Sequence, residues 1–266
     1  MRRASNARNR NALGHLKKHS LAYYVNKLAQ DEPFAISRWN DGEWLTAFGP
    51  KRRVNWGWNV HKNSNGCEFS APLGNKLRSV IERNLPYEHA ICRRARRGMG
   101  HAIGTVLREC GADIQFWTVS GDIFLESMLK GNLFPLVEQL REKKVGIVGP
   151  SFCSQLGVVG FFNVAGVVTP PGKNAINQRD DINRMTLDMI EIKGLDVVGY
   201  SAGLHSKVFI DDIWSMTDGD VTLIDFGSMW DGFFDPLPHV NSQGSRSYIR
   251  RGRHDFEELR RINANL

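Results

Sequence analysis

The sequence predicts an α/β fold with a mostly parallel sheet covered by helices on both faces. Seven short apolar or β-branched runs recur along the chain, most are followed by Gly or Asp, and segments of helical periodicity lie between them. Strands alternating with helices form parallel sheets, and continuous apolar runs are strands buried on both sides.

In chain order, Leu13 to Gln30 carries apolar residues at 13, 16, 21, 24, 25 and 28, a spacing that predicts one amphipathic helix. The strand runs are 34–39 (FAISRW), 89–92 (HAIC), 115–119 (QFWTV), 144–149 (KVGIVG), 166–169 (GVVT), 196–200 (DVVGY) and 221–225 (VTLID). Helical patterning covers 73–85, 182–192 and 207–216. From Asp235 to Arg253 the composition turns to Pro, Ser, Asn, Gly and Arg, which predicts a loop, and 255–262 (DFEELRRI) predicts a short helix. No internal repeat is present. The expected organisation is a basic arm and N-terminal helix over 1–30, a catalytic domain over 31–240, and a basic loop with a short helix over 241–266.

Of 266 residues, 41% are hydrophobic and 24% charged, which excludes a disordered or fibrous chain. No run reaches the roughly 18–20 apolar residues of a membrane helix, and Arg2, Arg3, Arg8 and Arg10 precede no apolar segment of a secretory signal. The four cysteines, at 67, 92, 110 and 153, match neither a zinc-ligand spacing nor a disulfide scaffold, and read as reduced thiols of a cytoplasmic protein. The formal charge of +7 is unevenly spread: fourteen basic residues fall in three packets, at 2–18, at 93–97 (Arg93, Arg94, Arg96, Arg97) and at 246–253 (including Arg250 and Arg251). Without them 21 basic residues face 28 acidic ones. Basic packets on an acidic body point to a polyanionic partner, nucleic acid first and an anionic membrane surface second, with a solvated tail as the alternative for the first packet.

Ligands of parallel sheets bind outside the carboxyl ends of the strands, so chemistry is sought just after each run. After the first run, Asp41 and Glu43 flank Gly42, with Arg38 one strand step before. In an extended backbone residues two apart project to one side, where two carboxylates can hold Mg²⁺ or Mn²⁺ and Arg38 can meet phosphate. The alternative is a helix start, with Asp41 as N-cap and Glu43 in the first turn. Gly149 ends the fourth run ahead of Ser151. Ser201, Ala202, Gly203, His205, Ser206 and Lys207 follow the sixth, as small residues that let phosphate approach a helix N-terminus or as an ordinary turn. Asp225 ends the seventh run and Asp231 follows it; either carboxylate faces a pocket or shapes a turn. Asn174, in the loop after the fifth, binds a ligand or shapes its turn. Trp56 and Trp58 stack a sugar or base, or belong to the core.

The order of these motifs resembles the GT-D-type glycosyltransferases, Rossmann-like nucleotide-sugar enzymes marked by an Asp-x-Glu motif. FAISRWNDGEW is similar to that family's first strand and SR-(F/W)-x-DGE signature, with Asp41 and Glu43 on the acidic positions. KVGIVGPSF, VVTPPGKNAI, VVGYSAGLHSKVFIDDI and VTLIDFGSMWDGFF follow in the family's order from about Phe34 to Phe234. The family usually has Gly-Pro-Thr-Ala where this chain reads Ser-Ala-Gly-Leu-His-Ser, and His where it has Ser228.

The resemblance implies transfer of a sugar from a nucleoside diphosphate sugar to an acceptor hydroxyl. Asp41 and Glu43 are expected to hold Mn²⁺ or Mg²⁺ against the diphosphate. Ser37, Arg38, Gly149, Asn174 and the stretch from Ser201 to Lys207 are expected around the nucleotide sugar, and Asp231 and Asp225 are candidate bases. The arginine packets suggest DNA carrying a hydroxymethylated pyrimidine as acceptor. A cell-surface glycan or glycoprotein acceptor is one alternative, and a non-catalytic nucleic-acid-binding protein is another.

Overall fold

A computed structural model describes residues 12–49, 71–158, 160–172 and 174–230. Seven strands form one sheet: β1 (Ala35–Trp39), β2 (Glu88–Ile91), β3 (Trp117–Thr118), β4 (Val145–Val148), β5 (Val164–Val168), β6 (Val197–Tyr200) and β7 (Thr222–Asp225). Their order is β3-β2-β1-β7-β6-β4-β5 and every pairing is parallel, so the fold is Rossmann-like α/β. Every residue of β4, β6 and β7 is buried, which is why β4 and β6 read as continuous apolar runs and β7 carries Leu-Ile at its centre.

The two sheet faces are covered by different helices. Ile36, Ile147 and Ile224 pack with α1 (Leu21–Ala29), α5 (Ile123–Leu129) and α6 (Phe134–Arg141). Val148, Val198 and Leu223 point the other way, toward α7 (Arg179–Lys193) and α8 (Ser206–Met216). On that second side α2 (Asp41–Phe48), α3 (Ala71–Arg83) and α4 (Arg93–Glu109) gather around Trp39, Trp44 and Trp117.

The structure corrects two sequence expectations and adds a helix that the patterning did not show. Helix α1 begins only at Leu21, after Ser20 in an extended conformation. Leu13 and Leu16 are buried with the tryptophans, whereas Tyr24 and Leu28 are buried on the opposite side of the sheet. A single helix cannot serve both faces, so the chain instead passes the sheet edge, where Val119 N–H donates to Lys17 O at 2.9 Å. The third strand is only two residues long, because Asp113 accepts the Gln115 N–H at 3.1 Å and winds 114–116 into a 3₁₀ turn. Helix α4 was hidden behind its arginines, although Ala95, Met99, Ile103, Val106 and Leu107 recur on its buried face. The 255–262 helix, Trp56 and Trp58 lie outside the described residues.

Three buried groups link stability to pH. His89 is fully buried, stacked on Trp117 with ring centroids 4.8 Å apart, and desolvation depresses its pKa from 6.5 to about 3. Desolvation likewise takes His205 to about 4, and raises Asp211, beside Arg83 and Tyr87, to about 7. Between about pH 4 and 6.5 the unfolded chain therefore binds two histidine protons that the native state excludes, while the native state holds one at Asp211 that the unfolded chain releases. The net is one proton favouring unfolding. These groups make stability fall as pH drops through this window, by about 1.4 kcal/mol per unit. Urea denaturation of the wild type and of His89→Gln along a pH series checks this: the variant's slope is expected to be shallower by about 1.4 kcal/mol per unit, and an unchanged slope contradicts the assignment.

Candidate functional site

Helix α2 starts with Asn40 as N-cap, whose backbone N–H donates to Glu43 Oε2 at 3.0 Å. This reach back from the third residue is the Glu half of a capping-box pattern, so Asp41 is the first helical residue and not the cap. The two acids are therefore on a helix, where residues two apart point about 200° from each other. Asp41 turns outward, its Oδ2 2.7 Å from Arg94 Nε. Glu43 turns inward, its Oε1 2.7 Å from Lys207 Nζ. The co-facing expected of an extended backbone does not occur.

Lys207, in the first turn of α8, is 4% exposed. Its ammonium also lies 2.9 Å from Asp225 Oδ2 and donates to Gly203 O at 3.2 Å. The elements following β1 and β6 thus meet the end of β7 at one buried cation. Burial alone would lower the lysine pKa, but Asp225 and then Glu43 outweigh it and raise the value, so Lys207 is charged throughout the neutral range. The remaining oxygens are occupied: Asp225 Oδ2 accepts the Arg38 N–H at 3.1 Å and Oδ1 accepts the Gly227 N–H at 3.0 Å. Gly227 has φ +58° and faces the Arg38 guanidinium so closely that a Cβ would collide with it, which explains a glycine two residues after Asp225.

Arg38 and Ser37 point to opposite faces of β1. Ser37 is fully buried, 3.2 Å from His89 Nδ1 and accepting the Trp39 indole N–H at 3.0 Å, so it belongs to the aromatic core rather than to a ligand. Arg38 shares the Ile36 face, away from α8, and its fork is committed to protein: Nε donates to Gly121 O, Nη1 to Phe226 O at 2.9 Å, and Nη2 lies 3.9 Å from Asp122. It locks the loops after β3 and β7 together.

Beyond Asp41 lies an open cavity of about 330 Å³, lined by Arg93, Arg94, Arg97, Asp122, Leu125 and Glu126. Asp122 accepts the Arg93 backbone N–H at the start of α4, and Arg93 Nη1 is 3.8 Å from Glu126. Arg96 is turned further inward, with its Nε buried. Four arginines among the first five residues of a 17-residue helix oppose the positive end of its dipole. Their placement there is a cost to the helix and suits an anion in the cavity.

Of the other expected residues, Gly149 and Ser201 stand side by side at the ends of β4 and β6: a Cβ on Gly149 would meet the Ser201 Cβ at 3.0 Å. The Ser201 hydroxyl is buried with no hydrogen-bond partner among the described residues, and the Ala202 N–H is taken by Ser206 Oγ at 3.1 Å. Gly203 has φ +62° and opens the 3₁₀ turn 203–205. His205 is buried and neutral. Asn174 is exposed and left-handed at φ +52°, heading the 3₁₀ turn Ala175–Gln178. Asp231, Arg250 and Arg251 lie outside the described residues.

A divalent ion held jointly by Asp41 and Glu43 does not fit this arrangement. The two carboxylates diverge, both oxygens of Glu43 have partners, and among the described residues no group of three or more His, Cys, Asp and Glu side chains converges on one point.

No family model matches this chain, and no curated protein matches it. A solved structure does: a selenomethionine-substituted domain of unknown function 1792, at 17% identity and a TM-score of 0.55, covering 84% of this chain and 82% of that one. This likeness shows the fold. No helix among the described residues is long and apolar enough to cross a membrane.

Asp122 and Glu126 line the cavity and were not anticipated. Their signal was available: Ser120-Gly121-Asp122 follows the third strand run as the other candidate sites follow theirs, and Glu126 lies one helical turn later.

Proposed function

We propose that this chain is a glycosyltransferase that moves a sugar from a nucleoside diphosphate sugar to an acceptor hydroxyl. The observation that carries the reading is the meeting of Glu43, Asp225 and Lys207 at the carboxyl ends of the strands, on the positions where the motifs resemble the GT-D enzymes. The parallel sheet supports it, because that resemblance requires such a fold.

In this reading the donor lies across the carboxyl ends of β1, β6 and β7. Its phosphates face the start of α8 and the arginine cavity, whose charges oppose the charge that grows on the departing diphosphate. Asp41, with a quarter of its side chain exposed beside the cavity, is the carboxylate placed to meet the acceptor. Asp225 is fully buried and acts through Lys207 by holding the ends of β1, β6 and β7 in register. The acceptor we propose is a hydroxymethylated pyrimidine in DNA, supported by the arginines of α4.

Thermal melts with UDP-, GDP- and CMP-sugars, each with MnCl₂ and with EDTA, test the donor. One nucleotide class is expected to raise the melting temperature by roughly 5–10 °C at saturating concentration and to be consumed when the acceptor is present. A panel in which none binds and none is hydrolysed or transferred would falsify the transferase reading.

A further inference from the structure

Two buried carboxylates at the ends of parallel strands would ordinarily call for a metal ion, since hard oxygen donors suit Mg²⁺ and Mn²⁺ and an uncompensated buried charge is costly. Here a side chain meets that need. We propose that Lys207 is the resident cation of this site: its ammonium takes the place between Glu43 and Asp225 that a divalent ion would take, and these carboxylates bind no metal in the working protein. The claim about the donor, that its diphosphate is held without a metal on Glu43 or Asp225, rests on the transferase reading; the claim about the carboxylates does not.

Three features carry this. All three ammonium protons have acceptors, on Glu43 at 2.7 Å, Asp225 at 2.9 Å and Gly203 O at 3.2 Å. The carboxylates are sheltered, with side chains 6% and 0% exposed, and their other lone pairs take backbone N–H groups from Asn40, Arg38 and Gly227. The charge count decides between occupants. Two carboxylates and one ammonium leave a single negative charge, softened by those N–H groups. Adding a divalent ion beside the ammonium would reverse the sign and set two cations against each other in a buried space. Two carboxylates and a divalent ion without the lysine would be neutral. Lys207 and a metal are therefore alternatives, and removing the lysine should create a metal site. The positive charge offered to a phosphate then comes from Arg93, Arg94 and Arg97 across Asp41.

The test uses MnCl₂ with no nucleotide on the full chain after EDTA treatment. The wild type is expected to melt at the same temperature with Mn²⁺ as with EDTA. Lys207→Met is expected to melt lower in EDTA and to recover by roughly 5–10 °C on adding Mn²⁺. A folded Lys207→Met that gains nothing from Mn²⁺ overturns the proposal. Electron paramagnetic resonance of Mn²⁺ with the wild type and Glu43→Gln decides the matter should Lys207→Met fail to fold. Binding by the wild type that disappears in Glu43→Gln overturns it, whereas an unbound signal, or binding that survives the substitution, agrees with it. A failed nucleotide-sugar panel would remove the transferase reading and leave this result standing.

Discussion

Asp225→Ala is expected to cost about 3–5 kcal/mol of stability, the usual penalty for removing one partner of a buried ion pair. Asp225 is fully buried and each of its oxygens is in use, one by Lys207 and the Arg38 N–H and the other by the Gly227 N–H. Truncation takes one carboxylate from the buried lysine, leaving it Glu43 and Gly203 O, and leaves two N–H groups without acceptors. Asp225→Asn is no gentle substitute, because its amide would turn a donor toward the ammonium or toward those N–H groups. Urea denaturation gives the measurement, and a double-mutant cycle gives the control. Asp225→Ala combined with Lys207→Met should lose clearly less than the two single losses together, since each single loss already includes the same Lys207–Asp225 attraction. Strict additivity would mean that the two side chains do not depend on each other.

The joint replacement of Arg93, Arg94 and Arg97 by Gln should weaken binding to duplex DNA by roughly a hundredfold near physiological salt. It should also flatten the plot of log affinity against log salt by about 3, close to one for each lost phosphate contact. The same variant is expected to melt no lower than the wild type. These arginines sit at the end of α4 where positive charge opposes the helix dipole, and their pairs with Asp41 and Glu126 are solvent-exposed and correspondingly weak. Loss of polyanion binding without loss of stability is what separates a binding surface from a structural one. Unchanged DNA affinity would remove the DNA acceptor and favour a glycan or glycoprotein.

The sheet was legible because strands buried on both faces leave uninterrupted apolar runs, as in Val145–Val148 and Val197–Tyr200. The reading failed where one pattern served two surfaces. Leu13 and Leu16 fit the same helical spacing as Tyr24 and Leu28 but are buried on the other side of the sheet. At the site, the residue types were legible and their directions were not. Whether Asp41 and Glu43 converge depends on backbone conformation, and the deciding signal was Asn40 three residues before Glu43, a helix-start pattern that points the glutamate inward. The partnership of Glu43 with Lys207 had no local signal at all, because it is made only when β1, β6 and β7 are aligned. The inward fork of Arg38 depends likewise on loops distant in sequence.

The adjacency of β1 and β7 also bears on how the protein is made. A nascent chain on the ribosome exposes residues 35–39 long before residues 222–225 emerge, so β1 must wait with one flank unpaired for most of synthesis. Glu43 meanwhile has no Lys207 to answer it. Fragments that stop short of β7 should therefore be inert and prone to clump, however well their first strands have associated.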